Sequence, residues 1–151
     1  MMCIHVQMKK ITFKNKIYEI FGRRYVVRRR VIRVVGPKKL LGHLSVKDFK
    51  ENKKKAYVLI SERIAHFNQS GEYPVGKVSI KNQKTRWGSC SGKRNLNFNY
   101  KLLFMPENLR DYIIIHELCH LKEMNHSKNF WNLVAERVPD YKALRRQIKL
   151  Y

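Results

Sequence analysis

HELCHLKEMNH, running from His116 to His126, is the stretch that decides the fold and chemistry of this sequence. Three of the chain's six histidines lie in these eleven residues, and Glu117 directly follows the first. On an α-helix, residues i and i+4 sit one turn apart on one face, so His116 and His120 can direct two imidazoles at one ion. Zinc takes imidazole nitrogen at about 2.0–2.1 Å and, in catalytic sites, keeps three protein ligands and one open position. Glu117, next to a ligand, can take a proton from water at that open position and later pass one to a leaving group. No further residue on the helix stripe completes the set. His126 can do so if the helix stops near Glu123 and the chain turns back, a turn that Asn125 tolerates.

The plainer reading is a surface helix that carries histidines by chance. Ile113, Ile114 and Ile115 precede the motif, which makes the helix a buried one, and a buried ionisable cluster without a ligand is costly. A closed structural zinc site needs four ligands, and three histidines leave one position open. Cys119 lies about 100° around the helix from each chain neighbour and reads as core packing rather than a nucleophile. His5, His43 and His66 are isolated and receive no role. The spacing H-E-x-x-H-x5-H also fits the metzincin signature. However, Glu123 stands at its glycine position and no methionine follows His126, so that assignment is rejected.

Outward from the motif, the pattern is α+β. Pro106 opens the helix that continues through PENLRDYIIIHELCHLKE, and Ser127 caps a second helix, SKNFWNLVAERV. Pro139 ends that helix and starts a terminal basic one. Upstream, KVSIKNQKTRWGSCS (77–91) and NLNFNYKLLF (95–104) read as two strands joined by the turn SGKR, forming a small antiparallel sheet. Leu96, Phe98 and Tyr100 alternate with Asn97 and Asn99, as in a half-buried strand. Before them, Ser45 and Asp48 resemble a capping box, and Phe49, Ala56, Ile60, Ile64 and Phe67 form the core face of a helix. Residues 10–20 and 24–35 read as a basic β-hairpin that turns at FGRR and ends at Gly36-Pro37. The expected organisation is a basic N-terminal hairpin region, 1–42, followed by a core of residues 43–151, in one compact domain.

Charge narrows the partners. The 151 residues hold 33 Lys+Arg and 11 Asp+Glu, a net +22, and residues 1–55 alone hold 17 of the basic and 3 of the acidic residues. Such a field attracts nucleic acid, nucleotides or other polyanions, with residues 23–39 as the candidate contact. Three widely spaced cysteines argue against a disulfide framework and fit a reducing cytoplasm. No apolar run is long enough for a signal peptide or a membrane span.

KNQKTRWGSCS, LNFNYKLLFMP, DYIIIHELCHL, NHSKNFW and PDY, in that order, resemble the YgjP-like metallopeptidases, HExxH proteins distantly related to the SprT-like proteases. The resemblance covers about residues 77–142, with weaker similarity through the helix at 45–68. It implies a zincin-like core, zinc on His116, His120 and His126, and Glu117 as general base. In RWGSC, Arg86 can face the metal cleft and hold a carboxylate, phosphate or oxyanion, or it can form an ion pair that fixes its loop. Trp87 reads as core and Gly88 as a bend. Strand 77–91 or 95–101 can dock an extended peptide. The leading expectation is a zinc hydrolase acting on peptide or protein. The rivals are a metal-dependent nucleotide phosphohydrolase, which the charge and Arg86 suit, and a basic nucleic-acid-binding protein or a protease recruited to nucleic acid. The phosphohydrolase ranks lower because there is no Walker A motif and no magnesium-type carboxylate cluster.

Overall fold

A computed structural model describes the backbone of strands 16–20, 23–28 and 31–34, together with Leu41 and residues 44–151. The N-terminal strands are β1 (Lys16–Ile20), β2 (Arg23–Arg28) and β3 (Val31–Val34), paired antiparallel in the order β1-β2-β3. The stretch expected as one strand over 24–35 is therefore two, with Arg28 opposite Val31. Three consecutive arginines, 28–30, interrupt the apolar alternation there, and neither face of a continuous strand could cover them. The expected strand start at residue 10, the centre of the FGRR turn, the Gly36-Pro37 stop, the boundary at 42, and Cys3, His5 and His43 lie outside the described residues.

Helix α1 (Val46–Phe67) begins with the expected box: the Ser45 hydroxyl accepts from the Asp48 amide, and the Ser45 amide donates to the Asp48 carboxylate at 2.7 Å. Ala56, Ile60 and Ile64 are buried at helical spacing, with Phe49 and Phe67 partly buried beside them. The second sheet comprises β4 (Val78–Lys81), β5 (Gly88–Cys90) and β6 (Leu96–Asn99) in the order β4-β6-β5.

This sheet is mixed rather than wholly antiparallel, because β4 runs parallel to β6 and β5 antiparallel to it. Residues 77–91 therefore break into two strands around the polar run NQKTR, which has no apolar residue to bury. Asn99 holds that loop: its amide nitrogen donates to the carbonyls of Gln83 at 2.8 Å and Arg86 at 3.1 Å. This is why Asn99 is buried where simple alternation would expose it. β6 is paired on both sides, so of the two segments expected to dock peptide only the first offers free edges, at β4 and at β5.

A 3-10 turn (Tyr100–Phe104) leads to α2 (Glu107–Cys119), where Pro106 stands at the N-cap position, one residue before the helix. Then come α3 (Lys128–Arg137), capped by Ser127, and α4 (Tyr141–Gln147). A guanidinium fork from Arg63 of α1 to both oxygens of Asp111, at 2.9 and 2.5 Å, ties α1 to α2. The core sits between these helices and β6, around Ile60, Leu96, Phe98, Leu109, Ile114 and Phe130. The architecture is thus α+β, with the histidine-bearing helix buried against a small sheet. Among the described residues, no helix is long and apolar enough to cross a membrane. Phe98 is fully buried at the centre of the sheet. Phe98→Ala is expected to cost about 3–5 kcal/mol, read as a lower urea midpoint.

Candidate metal centre

Helix α2 ends at Cys119, a turn earlier than the sequence pattern suggests. The amides of Leu121, Lys122 and Glu123 bond back to the carbonyls of Leu118 and Cys119, closing the helix in a tight turn. The chain then reverses, and Ser127 accepts from the Phe130 amide at 3.2 Å to start α3. His126 is fixed immediately before that cap. Its Nε2 lies 3.1 Å from Nε2 of His116, and ligand atoms of His116, His120 and His126 all lie within 4.8 Å of one another.

These residues fit a metal. Two imidazole nitrogens bound tetrahedrally at the zinc distance stand about 3.3 Å apart, close to the His116–His126 separation. The His120 Nδ1 lies 3.0 Å from the Glu123 carbonyl. Donating its proton there leaves Nε2 free as a ligand, the usual way a backbone carbonyl orients a metal-binding histidine. Phe130 stacks under His120 at 4.4 Å, and Trp131 stacks on His126 at 5.5 Å. Burial and the neighbouring His120 and His126 push His116 down to about 3, so its ring is neutral over the ordinary pH range, as a ligand must be. Nδ1 of His116 is buried without a hydrogen-bond partner among the described residues, and Phe130 and Trp131 pack against that ring.

Glu117 lines the same cleft, a cavity of about 540 Å³, and is only 6% exposed. Its carboxylate rests against Gly88 of β5. A Cβ at Gly88 would fall 2.7 Å from Oε1 and Cγ of Glu117. Gly88, read from the sequence as a bend, is instead the space that admits the carboxylate. Burial raises Glu117 from 4.5 to about 8, opposed by the positive charge of Arg86. Arg86 is exposed, lines the cleft and makes no ion pair among the described residues. Trp87 both packs on the core and lines the cleft.

Three contributors escaped sequence reasoning. Arg145 of α4 lines the far wall with its guanidinium 4.7 Å from the Trp131 ring. Trp131 stacks between His126 and Tyr141. Glu72, on the loop after α1, pairs with Lys122 and Arg137 and so ties the reversal after His120 to the end of α3. Local pattern assigns none of these roles: Arg145 is one cation among 33, and Trp131 stands out only as the last residue of NHSKNFW. Cys119 is buried and pushed up to about 11 by burial, which fits packing and not nucleophilic use.

A histidine triad on a helix–turn–helix beside a small sheet defines a zincin-like metalloprotein. The chain belongs to the YgjP-like metallopeptidase domain family, whose model matches residues 21–151. It is similar to the metallopeptidase zymogen abylysin of Pyrococcus abyssi, with 29% identity, a TM-score of 0.53, and 59% of this chain and 90% of that one covered. It is also similar to jannalysin of Methanocaldococcus jannaschii, a metallopeptidase zymogen, with 26% identity, a TM-score of 0.52, and 59% and 92% covered. A third relative is a UTP pyrophosphatase of Escherichia coli (strain K12), 39% identical over 46 residues, or 30% of this chain. The chain spans 28% of that relative's length.

Gly88→Ala is expected to displace the Glu117 carboxylate, lowering any hydrolytic turnover by at least about 100-fold, the usual worth of a positioned acid–base. Circular dichroism and metal content should stay unchanged. In the metal-free protein, the protonated Glu117 adds stability that is full below pH 4.5 and lost as pH rises through about 8. Glu117→Gln should therefore gain on the wild type across that window, by a few kcal/mol in urea unfolding, with no gain at the acid end.

Proposed function

We propose that this protein is a zinc-dependent hydrolase, and first of all a peptidase. The carrying observation is the convergence of three histidine ligand atoms within 4.8 Å, with Glu117 buried in the same cleft. His116, His120 and His126 would hold zinc. When bound, zinc supplies Lewis-acid chemistry that acidifies water and polarises a substrate carbonyl. Glu117 takes the proton from the attacking water and delivers one to the leaving amine. Burial raises its proton affinity above that of an exposed carboxylate, which favours holding the proton between the two transfers. Arg86, at the mouth of the cleft, draws the developing negative charge. An extended peptide would lie along the free edge of β5, beside Glu117.

A second reading is supported by Arg86 and Arg145, two cations on the wall of one cleft. Such a cleft also suits a polyphosphate, and a relative over part of the chain is a UTP pyrophosphatase. Water would then attack phosphorus with Glu117 again taking the proton, and the P–O bond to the departing phosphate-bearing group would break. The basic segment 23–39 would add a contact for nucleotide or nucleic acid in either case.

Wild type and Glu117→Gln, both loaded with zinc, separate these readings when assayed on unfolded casein and on UTP. The variant is expected to keep its metal and lose at least about 100-fold in turnover on the true substrate. Full activity of the variant on both substrates would sink the mechanism. Loss confined to UTP hydrolysis would replace the peptidase reading with the second.

A further inference from the structure

A second concave site lies at the sheet edge opposite β5. Its volume is about 580 Å³, and its walls are α1 and the edge strand β4. Lys50, Lys53, Lys54 and Tyr57 line one wall at positions i, i+3, i+4 and i+7, a single helical stripe of about 10 Å. Lys77 and Lys81 line the other, at the two ends of an extended segment of about 13 Å. All five lysines are exposed, none forms an ion pair among the described residues, and no described carboxylate lines the groove. The nearby Glu51 is engaged with Lys47 instead. Tyr57 is 48% exposed among these cations.

We propose that this groove binds single-stranded nucleic acid. Two rows of lysines without ion pairs among the described residues suit a phosphodiester backbone running between them, and the exposed Tyr57 ring offers a face on which a base can stack. The ring selects among polyanions. Inorganic polyphosphate has no flat group to place on it. A duplex keeps its bases stacked inside, and a bilayer cannot enter a concave groove. The site is distinct from the histidine cleft and does not depend on which bond that cleft hydrolyses.

The test is fluorescence anisotropy of a labelled short oligothymidylate with the full chain over a salt series. One variant carries Lys50→Glu, Lys53→Glu and Lys54→Glu. A control carries Lys93→Glu, Lys142→Glu and Lys149→Glu, the same charge change on exposed lysines outside the groove. A third variant is Tyr57→Ala. The groove variant is expected to bind at least about tenfold more weakly than the control and to lose about 2 from the slope of log affinity against log salt, the share of three phosphate contacts on a single strand. Tyr57→Ala should weaken binding at least about fivefold with that slope unchanged. Equal losses in groove and control variants would mean the overall charge does the binding and would overturn the proposal. So would a silent Tyr57→Ala together with equal competition by inorganic polyphosphate. A Lys→Gln version of the groove variant, which adds no repulsion between carboxylates, should still bind more weakly than wild type.

Discussion

The histidine-bearing helix must stop the moment it has delivered its second histidine. A straight continuation of α2 would carry residue 126 about 9 Å further along the axis, away from His116. Closure after Cys119 instead brings the His126 ring back to 3.1 Å from His116. The amides that bond back to Leu118 and Cys119 satisfy the helix end, and Ser127 caps the next helix at once. Phe130 and Trp131, on the first turn of α3, then form the floor and wall on which His120 and His126 stack. Glu72 holds the reversal from outside through Lys122 and Arg137. Exposed pairs of this kind contribute little energy one by one, so their value here is geometric.

A second constraint couples the helix to the sheet. Glu117 is a buried carboxyl whose charged form is disfavoured, and it fits only because the strand beside it has a glycine at that point. β5 therefore lies close to α2, and Asn99 fixes the loop that carries Arg86 and Trp87 to the rim of the cleft. With β6 at its centre, the sheet has two edges of different character. β5 faces the histidines and Glu117, while β4 faces a row of lysines on α1.

Much of this was legible in the chain. The i, i+4 spacing of His116 and His120, the isoleucines before them, the Ser45–Asp48 box and the Ser127 cap depend on contacts within a few residues, and local pattern encodes those directly. What misled was pattern that tertiary contacts override. RYVVRRRVIRVV reads as one strand but is two. KVSIKNQKTRWGSCS reads as one strand, yet β4 and β5 flank β6 in opposite directions. Asn99 looked like the solvent face of a strand and is a buried clamp. Gly88 and Arg145 carry no local signal for their roles, because the groups they meet, Glu117 and Trp131, lie 29 and 14 residues away in sequence order, in other elements.

By itself, then, the sequence determined that a buried helix would carry two histidines one turn apart with a glutamate directly after the first, and a third histidine after a turn, within an α+β chain of high positive charge. Periodicity, capping and charge are properties of neighbouring residues, and they need no knowledge of the rest of the fold. Only the tertiary structure decided how far the helix runs, which strand lies against Glu117, and which of 33 cations reach the cleft or the groove. Those outcomes depend on packing between segments distant in the chain, where the space left by a missing side chain counts as much as the residues present.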